Sequence, residues 1–256
     1  MTENPAEAHG EPKLLFFECI GGVSGDMCLG ALLDLGFPEE ALVRELSRLG
    51  LDEYFKIAVE PCTVGVIHAT RVRVQLTCSD DHPRQLPQIR EIIEQSTLPE
   101  STQSRSLRVF EHLAQAEAAV HRTSAEEVHF HEVGGVDALV DIVGTCIAID
   151  YFAPEEIWYS PMMTGRGQIE CAHGVIPVPA PAVMNLAVGS TLKYLDVYGE
   201  LTTPTGAAIL TTLGKECRAL RLRLERVGYG SGHRETPGVL NLLRVSLGTG
   251  AVAERP

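Results

Sequence analysis

The sequence lacks the cysteine pattern of a disulfide-rich or zinc-ribbon protein. Its seven cysteines are scattered along the chain and form no C-x-x-C pair, so neither a disulfide framework nor a structural zinc site is expected. Basic residues are also scarce, because 21 Lys and Arg stand against 34 Asp and Glu, a net charge of −13. Nucleic acids and anionic membranes are bound through clustered Lys and Arg. We therefore expect no nucleic-acid partner and no membrane partner.

Long hydrophobic runs are absent as well. No uninterrupted apolar run is long enough for a membrane-spanning helix, and the polar opening MTENPAEAHGEPK lacks the apolar stretch of a signal peptide. These absences predict a cytoplasmic location. The chain has 256 residues, of which 45% are hydrophobic and 21% are charged. This composition is typical of a folded globular protein with a substantial core.

The order of the periodic segments predicts a mixed α/β (α+β) fold. Strands are predicted at 13–20, 54–65, 66–78, 156–165, 167–171, 220–230 and 238–248. Helices are predicted within 21–36, 38–50, 85–95, 102–121, 135–152, 177–189 and 201–214. Because these elements alternate without a strict βα repeat, we expect one compact unit. The expected organisation is a disordered tail over 1–12 and one domain over 13–250, with a subdivision near 80 or 155 left open.

The stretch HFHEVGGVD contains two histidines separated by one residue. In an extended segment His129 and His131 would point the same way, and paired imidazoles are good ligands for nickel, zinc or copper. A solvated surface pair is the alternative. A helix that begins near Val136 would place Asp137 and Asp141 one turn apart on one face. Two such carboxylates must face solvent, be paired or bind a metal, since burying them uncompensated is costly.

A glycine-rich turn follows the first predicted strand. Gly22, Ser24 and Gly25 precede a helix, an arrangement in which backbone N–H groups can hold a phosphate. The letters match neither the dinucleotide-binding fingerprint nor the P-loop. Asp26 lies in the first helical turn, where the helix dipole stabilises an acid and Ser24 can cap the helix. A purely structural role of Ser24 and Asp26 at the helix start is therefore the alternative to ligand or metal binding.

Three further motifs carry polar side chains at turns or helix starts. Cys171 and His173 have the spacing of a shared face and suit a soft metal or a reactive pair, or simply lie in a turn. Thr203 and Thr205 in ELTTPTGAA can hydrogen-bond a phosphate or sugar, although Thr203 can instead cap a helix that starts at the following proline. Arg234 in VGYGSGHRE can make a bidentate contact with phosphate or carboxylate.

Taken together and in order, these motifs resemble the LarC family of nickel insertion proteins. The resemblance covers residues 13–247 and is carried by GGVSGDMCLGALLDLG, VHFHEVGGVDALVDIVG, CAHGVIPVPAPAV, GELTTPTGAAIL and VGYGSGHRE with NLLRV. It implies insertion of Ni²⁺ into a pyridinium mononucleotide with two thiocarboxylate groups, which yields the nickel-pincer nucleotide. In the family this lyase-type reaction consumes CTP with a divalent cation and forms two Ni–S bonds and one Ni–C bond.

The resemblance assigns expected roles to the candidate residues. The predicted metal ligands are His129, His131, Asp137, Asp141 and Asp26. The predicted general base is Glu132 or His173. The residues predicted to bind the mononucleotide are Gly22, Ser24, Gly25, Thr203, Thr205 and Arg234.

The sequence departs from the family pattern at two places. Many relatives carry a histidine-rich run where this chain keeps only His82, and they continue into a C-terminal region beyond the segment that ends here at Pro256. We therefore expect a separate C-terminal LarC polypeptide as a partner and no use of CTP by this chain alone, and a homo-oligomer stays open. Three other functions also stay open. They are a non-catalytic nickel- or cofactor-binding subunit, a metal-dependent phosphate-ester or nucleotide hydrolase, and a family member that has lost activity and serves as a scaffold.

Overall fold

The computed structural model describes residues 11–77, 84–128, 130, 135–171, 174–234 and 236–252. In these ranges the chain forms a seven-stranded mixed sheet, two two-stranded sheets and a layer of helices. The predicted mixed α/β fold is confirmed. None of the helices in these ranges combines the length and the apolar character needed to cross a membrane.

The strands and helices are numbered in chain order. The strands are β1 (Lys13–Glu18), β2 (Phe55–Val64), β3 (Ile67–Leu76), β4 (Glu156–Tyr159), β5 (Met162–Arg166), β6 (Gln168–Cys171), β7 (Gly174–Pro177), β8 (Leu192–Tyr198), β9 (Lys215–Glu216), β10 (Leu220–Ser231) and β11 (Leu242–Val252). The helices are α1 (Gly25–Asp34), α2 (Glu39–Leu46), α3 (Leu86–Gln95), α4 (Glu100–His121), α5 (Val136–Phe152), α6 (Pro181–Leu186) and α7 (Pro204–Leu213). A short 3-10 turn, Ser47–Leu49, follows α2.

The large sheet has the strand order β2-β3-β10-β11-β1-β4-β9. β1 pairs antiparallel with β11 and parallel with β4, while β10 meets β3 in parallel at Gly230 and Thr70. Because side chains alternate along a strand, Leu15 and Phe17 of β1 lie in the main core, whereas Phe16 packs against the smaller apolar cluster.

α5 is the central helix of the core, and most of its residues are buried. It begins at Val136, as the sequence predicts, and contacts α1. α1 in turn lies directly on β10 at Gly230, where an added Cβ would stand 2.0 Å from the carbonyl oxygen of Met27. This close contact fixes the start of α1 beside the loop that follows β10.

The sequence did not predict β7, β8 and β9. β7 forms a hairpin with β6, β8 runs parallel to β5, and β9 pairs with β4 through two residues. These strands are short or largely exposed, so the alternation that identifies a half-buried strand is weak in them. β7 lies directly before the segment 177–189 in which the sequence predicts a helix, and only its pairing with β6 reveals it.

Candidate functional site

A cavity of about 560 Å³ opens where five separate segments of the chain meet. Its acidic side chains are Asp26, Asp137, Asp141 and Glu200. Its basic side chains are Arg73, His233 and Arg234, and its hydroxyls are Ser24, Thr203 and Thr205. Seven residues that the sequence selected as candidates thus line one cavity, and its size is that of a site for a small molecule.

The starts of α1 and α7 lie side by side at this cavity. Val23 forms an isolated parallel bridge with Thr202, and the backbone N–H of Thr203 donates to the carbonyl oxygen of Val23 at 2.9 Å. Thr203 caps α7 by accepting from the N–H of Gly206 at 3.3 Å, which confirms the predicted cap. Its hydroxyl also lies 3.0 Å from that of Thr205. The cap holds both threonine hydroxyls at the cavity wall.

Asp26 is held in a small hydrogen-bond network at the first turn of α1. Its carboxylate accepts from the hydroxyl of Ser24 and from the N–H of Met27, the latter at 2.9 Å, and lies 3.6 Å from Nε2 of His233. Ser24 stands at the N-cap position but makes no capping hydrogen bond, so the predicted side-chain cap is wrong. Burial raises the pKa of Asp26 and outweighs the lowering by Ser24 and His233.

Asp141 is a buried carboxyl group with an unsatisfied oxygen. Its Oδ1 is buried without a hydrogen-bond partner, and its side chain packs so closely on Gly25 that an added Cβ there would lie 2.7 Å from the Cβ of Asp141. Burial, followed by the negative charges of Asp26 and Asp137, raises the pKa of Asp141 well above its ordinary value. A carboxyl group in this environment is satisfied by a proton or by a cation.

The glycines of the first turn have packing roles in this structure. Gly22 has a φ of +110°, and an added Cβ would lie 1.9 Å from the carbonyl oxygen of Leu201. The N–H of Gly25 already donates to the hydroxyl of Thr205 at 3.3 Å. An incoming phosphate would have to compete for that donor, and the phosphate roles of Gly22, Ser24 and Gly25 stay predictions.

The loop after β10 brings two basic residues to the cavity. Nε2 of His233 donates to the carbonyl oxygen of Val72 at 2.8 Å, and Nη1 of Arg234 donates to Glu200 at 2.8 Å. The side chain of Glu200 is 6% exposed, while that of Arg234 is 67% exposed. A buried carboxylate therefore holds the guanidinium at the cavity mouth.

Three cavity-lining residues with ionisable side chains were not selected as candidates from the sequence. His233 and Glu200 lie inside motifs that the sequence analysis singled out, so their signal was present. Arg73 has no such signal, because an exposed arginine in an alternating strand is ordinary. It lines the cavity only because β3 pairs with β10.

The predicted nickel ligands are only partly within the described ranges. His129, His131, Glu132 and His173 lie outside the described residues, so the histidine pair and the general base stay predictions. Within the described residues, no three His, Cys, Asp or Glu side chains are grouped closely enough to hold a metal ion.

A cavity with carboxylates on two helices and basic groups on β3 and the loop after β10 has the charges and the size that suit a small charged ligand. The chain belongs to the nickel insertion protein family, which matches residues 15–255. The resemblance inferred from the motifs is thereby confirmed.

Curated relatives carry a more specific name. A pyridinium-3,5-bisthiocarboxylic acid mononucleotide nickel insertion protein of Acetivibrio thermocellus is 42% identical over 95% of this chain and 62% of its own length. A protein of the same name from Desulfitobacterium hafniense is 43% identical over 92% of this chain and 58% of its own length. The chain thus spans about three fifths of these relatives. No solved structure matches the chain.

Proposed function

We propose that this chain takes part in inserting Ni²⁺ into a pyridinium-3,5-bisthiocarboxylate mononucleotide to form the nickel-pincer nucleotide. The observation that carries the proposal is the cavity, which places an unsatisfied buried carboxyl group, Asp141, among further acidic and basic side chains. The names of relatives that match nearly the whole chain support the choice of substrate.

The chemistry requires oxygen and nitrogen donors for the metal. Carboxylates and imidazoles bind nickel, and thiocarboxylate sulfur replaces them as the metal is transferred. We assign the carboxylates of Asp26, Asp137 and Asp141 and the imidazoles of His129 and His131 to the incoming Ni²⁺. Its transfer exchanges these donors for two sulfurs and one ring carbon of the substrate.

Formation of the Ni–C bond releases one proton from the pyridinium ring. The electron pair of the broken C–H bond becomes the Ni–C bond, so nickel keeps its oxidation state and a base takes up the proton. A general base must lie within hydrogen-bond reach of that proton. Glu132 or His173 is the proposed base. Use of CTP with a divalent cation is assigned to the part of the relatives that this chain does not span.

Nickel binding by the histidine pair is the direct test of this proposal. We expect calorimetry to detect Ni²⁺ binding to the wild-type chain and at least about a tenfold loss of affinity in His129→Ala/His131→Ala. His68→Ala, an exposed histidine on the β2–β3 hairpin, is the matched control and should bind like the wild type. Equal affinity of the folded double variant and the wild type would rule out the histidine pair as the nickel site.

A second candidate function is a non-catalytic nickel- or cofactor-binding subunit. It is favoured by the length comparison, since the chain spans only about three fifths of its relatives. Mass spectrometry of the nucleotide product distinguishes the two functions. Nickel-containing product from this chain with nickel and substrate supports insertion, whereas product that appears only after addition of a C-terminal LarC polypeptide supports the subunit.

A further inference from the structure

The charges around the cavity are arranged by element. The helices α1 and α5 contribute the carboxylates Asp26, Asp137 and Asp141. β3 and the loop after β10 contribute the guanidinium groups of Arg73 and Arg234. The chain has a net charge of −13 and the cavity carries more acidic than basic side chains, so the two guanidinium groups are the local positive charges that attract an anionic group.

Strand pairing accounts for the position of the arginines. β3 and β10 run parallel and are paired at Thr70 and Gly230, so Arg73 and His233, each three residues further along, emerge at the same level. The 2.8 Å contact from His233 to the carbonyl oxygen of Val72 fixes this arrangement. Arg234 follows directly and therefore opens onto the same side of the cavity.

Both guanidinium groups have hydrogen-bonding capacity left for a ligand. A guanidinium has five N–H donors, and in its ion pair with Glu200 Arg234 donates through Nη1. Among the described residues no carboxylate forms an ion pair with Arg73. Guanidinium groups recognise phosphate through paired N–H donors, so an anion between Arg73 and Arg234 would have donors on two sides.

We propose that Arg73 and Arg234 bind the phosphate of the pyridinium mononucleotide and that Glu200 is the positioning residue for Arg234. The assignment rests on the proposed function and fixes the direction in which the substrate lies. With the phosphate at the β3 and β10 side, the ring and its thiocarboxylates face Asp137 and Asp141. The opposite orientation would place a phosphate dianion against the carboxylates of α1 and α5.

This orientation gives the phosphate a role in the reaction. Thiocarboxylates are repelled by the carboxylates of α5 until a cation lies between them. Contacts to the remote phosphate can offset that repulsion, which is a general use of binding energy from parts of a substrate that do not react. Arg73 and Arg234 therefore govern whether the substrate is held before the metal is in place.

The test compares a ligand with and without its phosphate. Nicotinate mononucleotide and the corresponding nucleoside are titrated by calorimetry into the wild type and into Arg73→Gln/Arg234→Gln. We expect the wild type to bind the mononucleotide about 10 to 100 times more tightly than the nucleoside, and the double variant to bind both with similar, low affinity. Arg223→Gln removes an exposed arginine of β10 that does not line the cavity, and it should keep the wild-type ratio.

Glu200→Gln tests the positioning role separately. It should lower the preference for the mononucleotide about threefold to tenfold while the affinity for the nucleoside stays unchanged. A merely structural role of Glu200 would weaken the binding of both ligands equally. That result would overturn the positioning role.

The outcomes separate this assignment from the proposed function. If the double variant is folded by circular dichroism and keeps the wild-type preference for the phosphate, the arginine assignment is wrong. If nickel-containing product still forms in that case, the proposed function stands without it. If the wild type binds neither ligand, the assignment is overturned, and the nickel-binding and product measurements then decide the proposed function by themselves.

Discussion

If the chain inserts nickel as proposed, replacement of Asp141 with asparagine is expected to abolish nickel insertion and at the same time to stabilise the fold. The amide keeps the size of the side chain but removes the negative charge that a cation needs. We expect the insertion rate to fall about 100-fold or more, since even residues that only support metal ligands cost 10-fold to 100-fold. Product formation measured by mass spectrometry checks the loss.

The stability effect follows from the raised pKa of Asp141. The folded protein holds the carboxyl proton more tightly than the unfolded chain does. The corresponding stabilisation is complete below the ordinary pKa of about 4 and is lost as the pH rises towards the raised pKa. Asp26, Asp137 and His233 face the same region, and burial also raises the pKa of Asp26. An asparagine cannot ionise, so its advantage over aspartate grows with pH.

Thermal unfolding at about pH 5 and about pH 8 measures this advantage. A gain of about 1 to 3 kcal/mol at the higher pH corresponds to about 2 to 4 °C in Tm for each kcal/mol. Asp137→Asn, on the exposed side of the same helix, is the control and should change Tm less. A lower Tm for Asp141→Asn than for the wild type at about pH 8 would contradict the argument.

Replacement of Gly230 with alanine is expected to destabilise the fold by about 3 kcal/mol or more. The added Cβ would lie 2.0 Å from the carbonyl oxygen of Met27 and 2.6 Å from the backbone nitrogen of Ala31. Both atoms belong to the backbone of α1 and cannot rotate away, so the helix must move and take Asp26 with it. Urea unfolding measures the loss as a lower midpoint.

Gly189→Ala is the matched control for Gly230→Ala. Gly189 has a φ of +87° and open space around its Cβ direction, so its replacement costs only backbone strain of about 1 kcal/mol. Calorimetry with Ni²⁺ should then show weaker binding for the Gly230 variant and normal binding for the Gly189 variant. Equal destabilisation by the two changes would mean that the close contact with α1 is not the cause of the lower stability of Gly230→Ala.

The elements that the sequence predicted are those with a local signal. The start of α5 at Val136 follows from the apolar periodicity after a glycine pair, and the cap of α7 at Thr203 follows from the proline behind it. Ser24 had the same local signal, but its hydroxyl donates to Asp26 instead. The competing partner lies only two residues away, which residue type alone does not resolve.

The parts of the site that could not be predicted depend on contacts between distant segments. Arg73 reaches the cavity through the pairing of β3 with β10, and the burial of Asp141 depends on Gly25 of another helix. Neither contact leaves a pattern within one stretch of sequence. The order of the motifs identified the family and thereby the candidate segments. That these segments meet at one cavity is seen only in the structure.

The distribution of the cavity along the chain has a consequence for synthesis in the cell. Its lining begins at Ser24 and ends at Arg234, so the cavity is complete only when the chain has been made through the loop after β10 and β10 has paired with β3. Pairings over such sequence distances form late and slowly. A growing chain on the ribosome therefore has separate acidic and basic segments but no finished cavity. The acidic and basic side chains of the cavity come together only after these distant segments have paired.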